Sequence, residues 1–272
     1  MGRRATETEL RRHVPPMDLS AAANGMPPAR LVLDGDAALE PLAHLYVPDE
    51  GGAIRTIIGS AHRHWYSLIP GGRSGRWQPV DSEGEEMLAY DGEAEFNILA
   101  YQAQAARLRM VVNGTAAEWI IDHLRQLRDG TVEAIEVKPH PGAIDAQYKL
   151  KIFEAARILG RLGWRVSVRF HEQIRGSAAR QINRALVFCD ADVRPCADAE
   201  AAFDGLMARE AHTTLGRLWA ELPAARHRSE AMARCFMAMG RIDFDMDEHL
   251  DAGSRVVLHP TPSFVSKIRF DA

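Results

Sequence analysis

Two apolar segments joined by an Asp-Gly turn constrain this chain more than any other feature. Trp119-Ile120-Ile121 lies in the first, residues 118–127, and Ala134-Ile135 in the second, residues 132–138, with Arg128-Asp129-Gly130 between them. Apolar runs bounded by turn residues suit strands buried in a sheet. A further strand is expected at 106–113. Beyond the pair, helical periodicity covers 146–162 and stops at Gly163, and Trp164-Arg165-Val166-Ser167-Val168-Arg169-Phe170 reads as another strand. Strands alternating with long helices predict an α/β fold: a mixed sheet flanked by helices.

The rest of the chain is organised around that unit. At roughly 100 to 200 residues per domain, 272 residues allow one large domain or two modest ones. Residues 1–53, with Pro15-Pro16 and Pro27-Pro28, read as an irregular leader. The sheet-bearing domain is placed at 54–192, including a helix at 177–188. A linker with Pro195 follows, and 198–272 forms a smaller domain with helices at 199–210, 214–222 and 229–239 and short strands at 242–246 and 255–259. Helices followed by a β-hairpin are the order of a winged helix-turn-helix module. Leu215, Leu218, Trp219, Met232, Phe236 and Met239 are assigned to its own core.

Cys189, Cys196 and Cys235 are odd in number and form no C-x-x-C pair, so neither a disulfide framework nor a zinc ribbon is expected. The expected setting is the reducing cytoplasm, in company with the nucleoid. No apolar run approaches the 18 or so residues of a membrane span, so no membrane association is expected. His62 and His64 are spaced to share a strand face, but no third metal ligand stands nearby.

The chemistry is concentrated in Asp122 and Glu136-Val137-Lys138. Carboxylate oxygens hold hard Mg²⁺ ions, with Mn²⁺ as a substitute, and a neighbouring ammonium orients an attacking water and offsets phosphorane charge. Glu136 and Lys138, two apart on a strand, project together. Asp122 joins them only if the hairpin loop has odd length. A two-residue Asp129-Gly130 turn sets Asp122 opposite Val137. A three-residue loop with Gly130 left-handed sets it opposite Glu136, and that register is predicted. Glu85 is a third carboxylate, although Ser82 and Glu85 also have the spacing of a capping box, and the cap is its expected role on spacing alone. Glu83 and Glu86 fall on other faces of the same turn.

These residues resemble the TnsA endonucleases of Tn-seven-like transposons, within the restriction-endonuclease-like PD-(D/E)xK nucleases. The resemblance spans about residues 72–188. It rests on Asp81-Ser82-Glu83-Gly84-Glu85, Tyr101-Gln102-Ala103-Gln104-Ala105, Ile121-Asp122, Glu136-Val137-Lys138-Pro139 and Gly163-Trp164. A leucine and two prolines of the family pattern are missing, all scaffold residues. The resemblance implies a restriction-endonuclease-like fold, with Glu85, Asp122 and Glu136 as metal-binding catalytic acids and Lys138 positioning the water. It also implies a Mg²⁺-dependent cut of the 5′ non-transferred strand at transposon DNA ends, beside a TnsB-like transposase and a TnsC-like AAA+ regulator.

The formal net charge of −4 argues against indiscriminate coating of nucleic acid, so DNA contacts are sought locally. Arg161, Arg165, Arg169, Arg175, Arg180 and Arg184 form a basic run interrupted only by Glu172. Arg73, Arg76, Lys149, Arg165, Arg169 and Arg175 are the expected DNA-binding residues, with Lys151 a weaker addition. His123 and His171 are expected to be structural. Residues 205–260 hold seven arginines against eight acids, including Asp243, Asp245, Asp247 and Glu248, which suits a protein partner better than DNA. Two other readings are a non-catalytic nuclease-fold scaffold bridging transposase, DNA and regulator, and a solitary defence or repair nuclease.

Overall fold

The computed structural model describes residues 29–31, 37–39, 43–47, 52–54, 66–223 and 226–268. His62 and His64, and most of the proposed leader, lie outside them. The described residues form a mixed α/β architecture with several small sheets and seven α-helices.

In chain order the first part comprises β1 (Ala29–Leu31), β2 (Ala37–Leu39), β3 (Ala43–Tyr46), β4 (Ser67–Gly71), β5 (Arg76–Val80), α1 (Glu83–Ala94), β6 (Ile98–Ala103), β7 (Arg107–Val112), β8 (Thr115–Ile120), β9 (His123–Leu127), β10 (Val132–Lys138), α2 (Ala146–Gly160), β11 (Trp164–Phe170), α3 (His171–Arg175) and α4 (Ala178–Asp190). The central sheet has the order β11-β10-β9-β6, with β10 and β11 parallel and the other neighbours antiparallel. The parallel pair needs a crossover, and α2 provides it. A second sheet has the order β3-β7-β8.

The strand expected over 118–127 is two strands. β8 belongs to the second sheet, β9 to the central one, and the chain changes sheets at Ile121 and Asp122. Its neighbour bends in step: Gln104 has a left-handed φ of 52°, the Ile121 N–H donates to Ala106, and the Gln104 N–H donates to Asp122. Asp122 therefore stands at a corner between sheets.

The main core lies where α2 covers both sheets. Leu108, Met110, Trp119, Ile121, Leu124 and Ala134 pack with Ala155, Ile158 and Leu159. On the other side of β10, Ile135 and Val137 meet Met87, Leu88 and Ile174 from α1 and α3. Strand alternation produces this split, with even-numbered residues of β10 toward α2 and odd-numbered ones toward α1.

The C-terminal part follows as α5 (Ala197–Arg209), β12 (His212–Thr214), α6 (Leu215–Glu221), α7 (Arg226–Ala238), β13 (Ile242–Asp243) and β14 (Arg255–Leu258). Its sheet has three strands, ordered β12-β14-β13, where the sequence indicated two. Phe203, Leu206, Leu215, Leu218, Phe236 and Leu258 form its core, which also takes in Ala94 and Val187 from the first part. Guanidinium groups bind the parts further. Arg73 donates to the carbonyls of Ala238, Met237, Glu95 and Ile98 at 2.5–2.8 Å, and Arg128 donates to those of Phe96 and Gly240. No helix among the described residues is long and apolar enough to cross a membrane.

Candidate active site

The hairpin register decides which side chains meet. β9 and β10 pair Gln126 with Val132 and His123 with Ile135, so Leu127 faces Thr131 and the loop is Arg128-Asp129-Gly130. Gly130 has φ +84°, and its N–H donates to Leu127. This is the three-residue loop, and continuing the register sets Asp122 across from Glu136. The ladder itself ends at His123. There Asp122 Oδ2 takes over and accepts the Val137 N–H at 2.9 Å, tying the acid to the strand that carries Glu136 and Lys138.

Glu85 reaches the same place from α1. Ser82 caps that helix by accepting the Glu85 N–H at 3.2 Å, and the Glu85 carboxylate accepts from the Ser82 hydroxyl and the Asp81 N–H. It also accepts from Gln104 Nε2 at 2.9 Å. The cap and the site are thus one arrangement. Gly84 allows the approach, because a Cβ there would stand 2.5 Å from His171 Cδ2 and 2.8 Å from Val137 Cγ1. A side chain at position 84 would need His171 or Val137 to shift.

Glu85, Asp122, Glu136 and Lys138 line one open cavity of about 540 Å³, together with Asp81, Trp119, Tyr148, Lys151 and His171. Glu136 is 2 % exposed and accepts from Trp119 Nε1, Lys138 Nζ and the Tyr148 hydroxyl. Lys138 Nζ lies 4.8 Å and Lys151 Nζ 4.1 Å from the centroid of the Tyr148 ring. The sequence marks Trp119 only as part of a buried strand and does not single out Tyr148. The available signal was helical spacing, since Tyr148 and Lys151 share a face of α2 that Lys149 does not.

Burial, then the charge of Asp122, raises the Glu85 pKa well above the usual carboxylate range. Burial, then the charge of Glu136, does the same for Asp122, against the opposing Val137 N–H and Lys138. Both shifts come first from burial and only then from acids standing side by side. The second oxygen of Asp122 has no protein donor among the described residues. Hard oxygen donors with surplus negative charge fit Mg²⁺ in chemistry. As the side chains stand, no group of three or more His, Cys, Asp or Glu among the described residues is arranged to hold a metal ion. Glu136 and Glu85 are turned to the protein donors named above.

The expected DNA-binding residues separate. Arg165 and Arg169 are paired in register with Glu133 and Val137, so they lie on the face of the sheet opposite Glu136 and Lys138. Arg169 instead faces Glu133 at 3.5 Å, beside Arg125 at 2.8 Å. Arg73 is committed to main-chain oxygens, Arg76 begins β5 away from the cavity, and exposed Arg175 pairs with Glu83 at 3.4 Å. Arg184 is buried against Asp91 at 3.3 Å, and Arg180 bridges Glu95 and Asp247. Within the basic run Arg169, Arg175, Arg180 and Arg184 are in ion pairs, only that of Arg184 being buried, and Lys151, not Lys149, lines the cavity.

His171 lines the cavity, whereas His123 is buried, with neither ring nitrogen hydrogen-bonded and its pKa lowered to about 3 by burial. Compared with protein-family models and with curated proteins, the chain matches none of them.

Proposed function

We propose that the chain is a Mg²⁺-dependent DNA endonuclease of the restriction-endonuclease-like class. The observation that carries the reading is the hairpin register, which sets Asp122 beside Glu136 and Lys138 at a cavity that Glu85 enters from α1. In this reading Asp122 and Glu136 hold the ion, with Glu85 as a third carboxylate. Mg²⁺, when bound, lowers the pKa of water and offsets charge on the phosphate. Lys138 orients the water and Lys151 contacts the phosphate. Hydrolysis leaves a 3′-hydroxyl and a 5′-phosphate.

The TnsA-like role, a cut at transposon ends beside a TnsB-like transposase and a TnsC-like regulator, is carried by the sequence motifs. The order α5, β12, α6, α7, β13, β14 supports a winged-helix-like reading of the C-terminal part. The test is Mg²⁺- and Mn²⁺-dependent nicking of DNA bearing the element's ends, with its transposase present, for wild type and Asp122→Ala. Cleavage lost in the variant while DNA binding persists supports the nuclease.

One observation favours the scaffold reading: Glu136 already has three protein donors, and no three ligands are arranged around an ion among the described residues. Titration calorimetry separates the two. Mg²⁺ heat that disappears in Asp122→Ala belongs to the nuclease, and no heat in wild type belongs to the scaffold.

A further inference from the structure

The acid-lined cavity continues past Tyr148. A second groove of about 310 Å³ shares Tyr148 and Lys151 with it and is lined by the β7–β8 hairpin and the first turns of α2. Its walls differ in kind: Val112, Ala116, Ala117 and Leu150 are apolar, and Thr115 and Gln147 add uncharged hydrogen-bonding groups. One turn beyond Leu150 on the same helix, Phe153 leaves 70 % of its surface in solvent.

Three lysines stand between this groove and the acids of the neighbouring cavity, and Asp145 lines the groove itself. Lys138 and Lys151 flank the Tyr148 ring, and Lys149 is exposed on the same helix. The acids around them are engaged: Asp145 accepts the Tyr148 N–H at 2.7 Å, Arg157 holds Glu154 at 2.7 Å, and Arg109 holds Glu118 at 3.1 Å.

We propose that this groove takes an unpaired nucleotide of single-stranded nucleic acid adjoining the phosphate in the acid-lined cavity. The phosphate half rests on the nuclease reading. Lys151, at the divide, meets the phosphate between the two cavities. The apolar walls with Thr115 and Gln147 meet a base and its edge, and Phe153 offers a ring for the next base to stack on. A base inside a duplex stack has to be extruded to enter such a groove, so the substrate is single-stranded or melted at the cut. An apolar protein segment would suit Leu150 and Phe153, but it would leave Lys149 and Lys151 without partners of opposite charge, Lys138 alone having Glu136.

The test uses the full chain in EDTA, so that binding is read without cleavage. Fluorescence anisotropy compares a short oligothymidylate with a blunt duplex of equal length. Ala116→Trp fills the groove from the exposed hairpin and Phe153→Ala removes the platform, with circular dichroism confirming that both fold. The expected result is a single-strand preference of about tenfold in wild type, a loss of about tenfold in single-strand affinity in each variant, and duplex affinity within about twofold. Equal affinity of wild type for the two DNAs, or single-strand affinity unchanged in both variants, overturns the proposal. A single-strand preference that persists without any Mg²⁺-dependent cleavage counts against the nuclease and still supports the groove.

Discussion

Asp122 and Glu85 set a pH dependence of stability whose sign follows from their position. Both bind a proton more tightly in the folded chain than the ordinary carboxylate value of about 4. Their stabilising contribution is therefore full below that value and lost as pH rises through the raised one. His123, lowered to about 3, acts oppositely: its contribution is full above about 6.5 and lost as pH falls. Asp91, raised to about 7 by burial, adds to the acid slope below neutrality. Between pH 7.5 and 9 the site acids act together with Glu93, whose carboxyl is also raised by burial, and the Cys235 thiol, raised to about 11 by burial, joins above about 8.5. In EDTA the folding free energy should fall there by up to about 1.4 kcal/mol per pH unit for each proton released. Asp122→Asn should flatten the slope and raise the melting temperature at pH 8, as thermal melts across the range will show. An unchanged slope would remove Asp122 from the acid cluster. Gly84→Ala supplies a second test, because Ala favours a helix by about 1 kcal/mol over Gly. The close approach of His171 and Val137 predicts the reverse, a loss of about 1–3 kcal/mol in urea unfolding.

The β9–β10 hairpin is the element on which the site depends. Gly130→Val forces a β-branched residue into a left-handed position and should cost about 1–2 kcal/mol. Deleting Asp129 shortens the loop to Arg128-Gly130 while Leu127 still faces Thr131, so Asp122 stays opposite Glu136. Such a variant should lose some stability in thermal melts while keeping any thermal shift given by Mg²⁺. β10 and β11 were legible in the sequence to the residue, because Val132 and Trp164 begin dense apolar runs. The three-residue loop was legible from the need for an odd count. β12 was not, since three residues carry no periodicity, and neither was the strand break at Asp122, which goes with the bend at Gln104 between β6 and β7. The facing of Arg165 and Arg169 depends on a parallel register set across a long crossover. Charge counted along the sequence has no access to that.

At the scale of the molecule the two parts share a core and a set of guanidinium clamps. Ala94 and Val187 pack among residues of the C-terminal part, while Arg180 joins Glu95 to Asp247 at the surface. Calorimetry should therefore record one unfolding transition for both parts. Arg73→Met removes hydrogen bonds to four carbonyls and should cost about 3 kcal/mol, with the transition remaining single. Asp247→Ala, whose carboxylate is half exposed, should cost no more than about 1 kcal/mol. Arg73 and Arg128 hold the C-terminal part by the main-chain oxygens of Met237, Ala238 and Gly240, and every residue type presents those oxygens alike. The joint accordingly tolerates exchange of side chains at 237 and 238 as far as those clamps are concerned. A different helical module whose last turn follows the same path would find those clamps already in place, while the shared core at Ala94 and Val187 would have to be repacked around it.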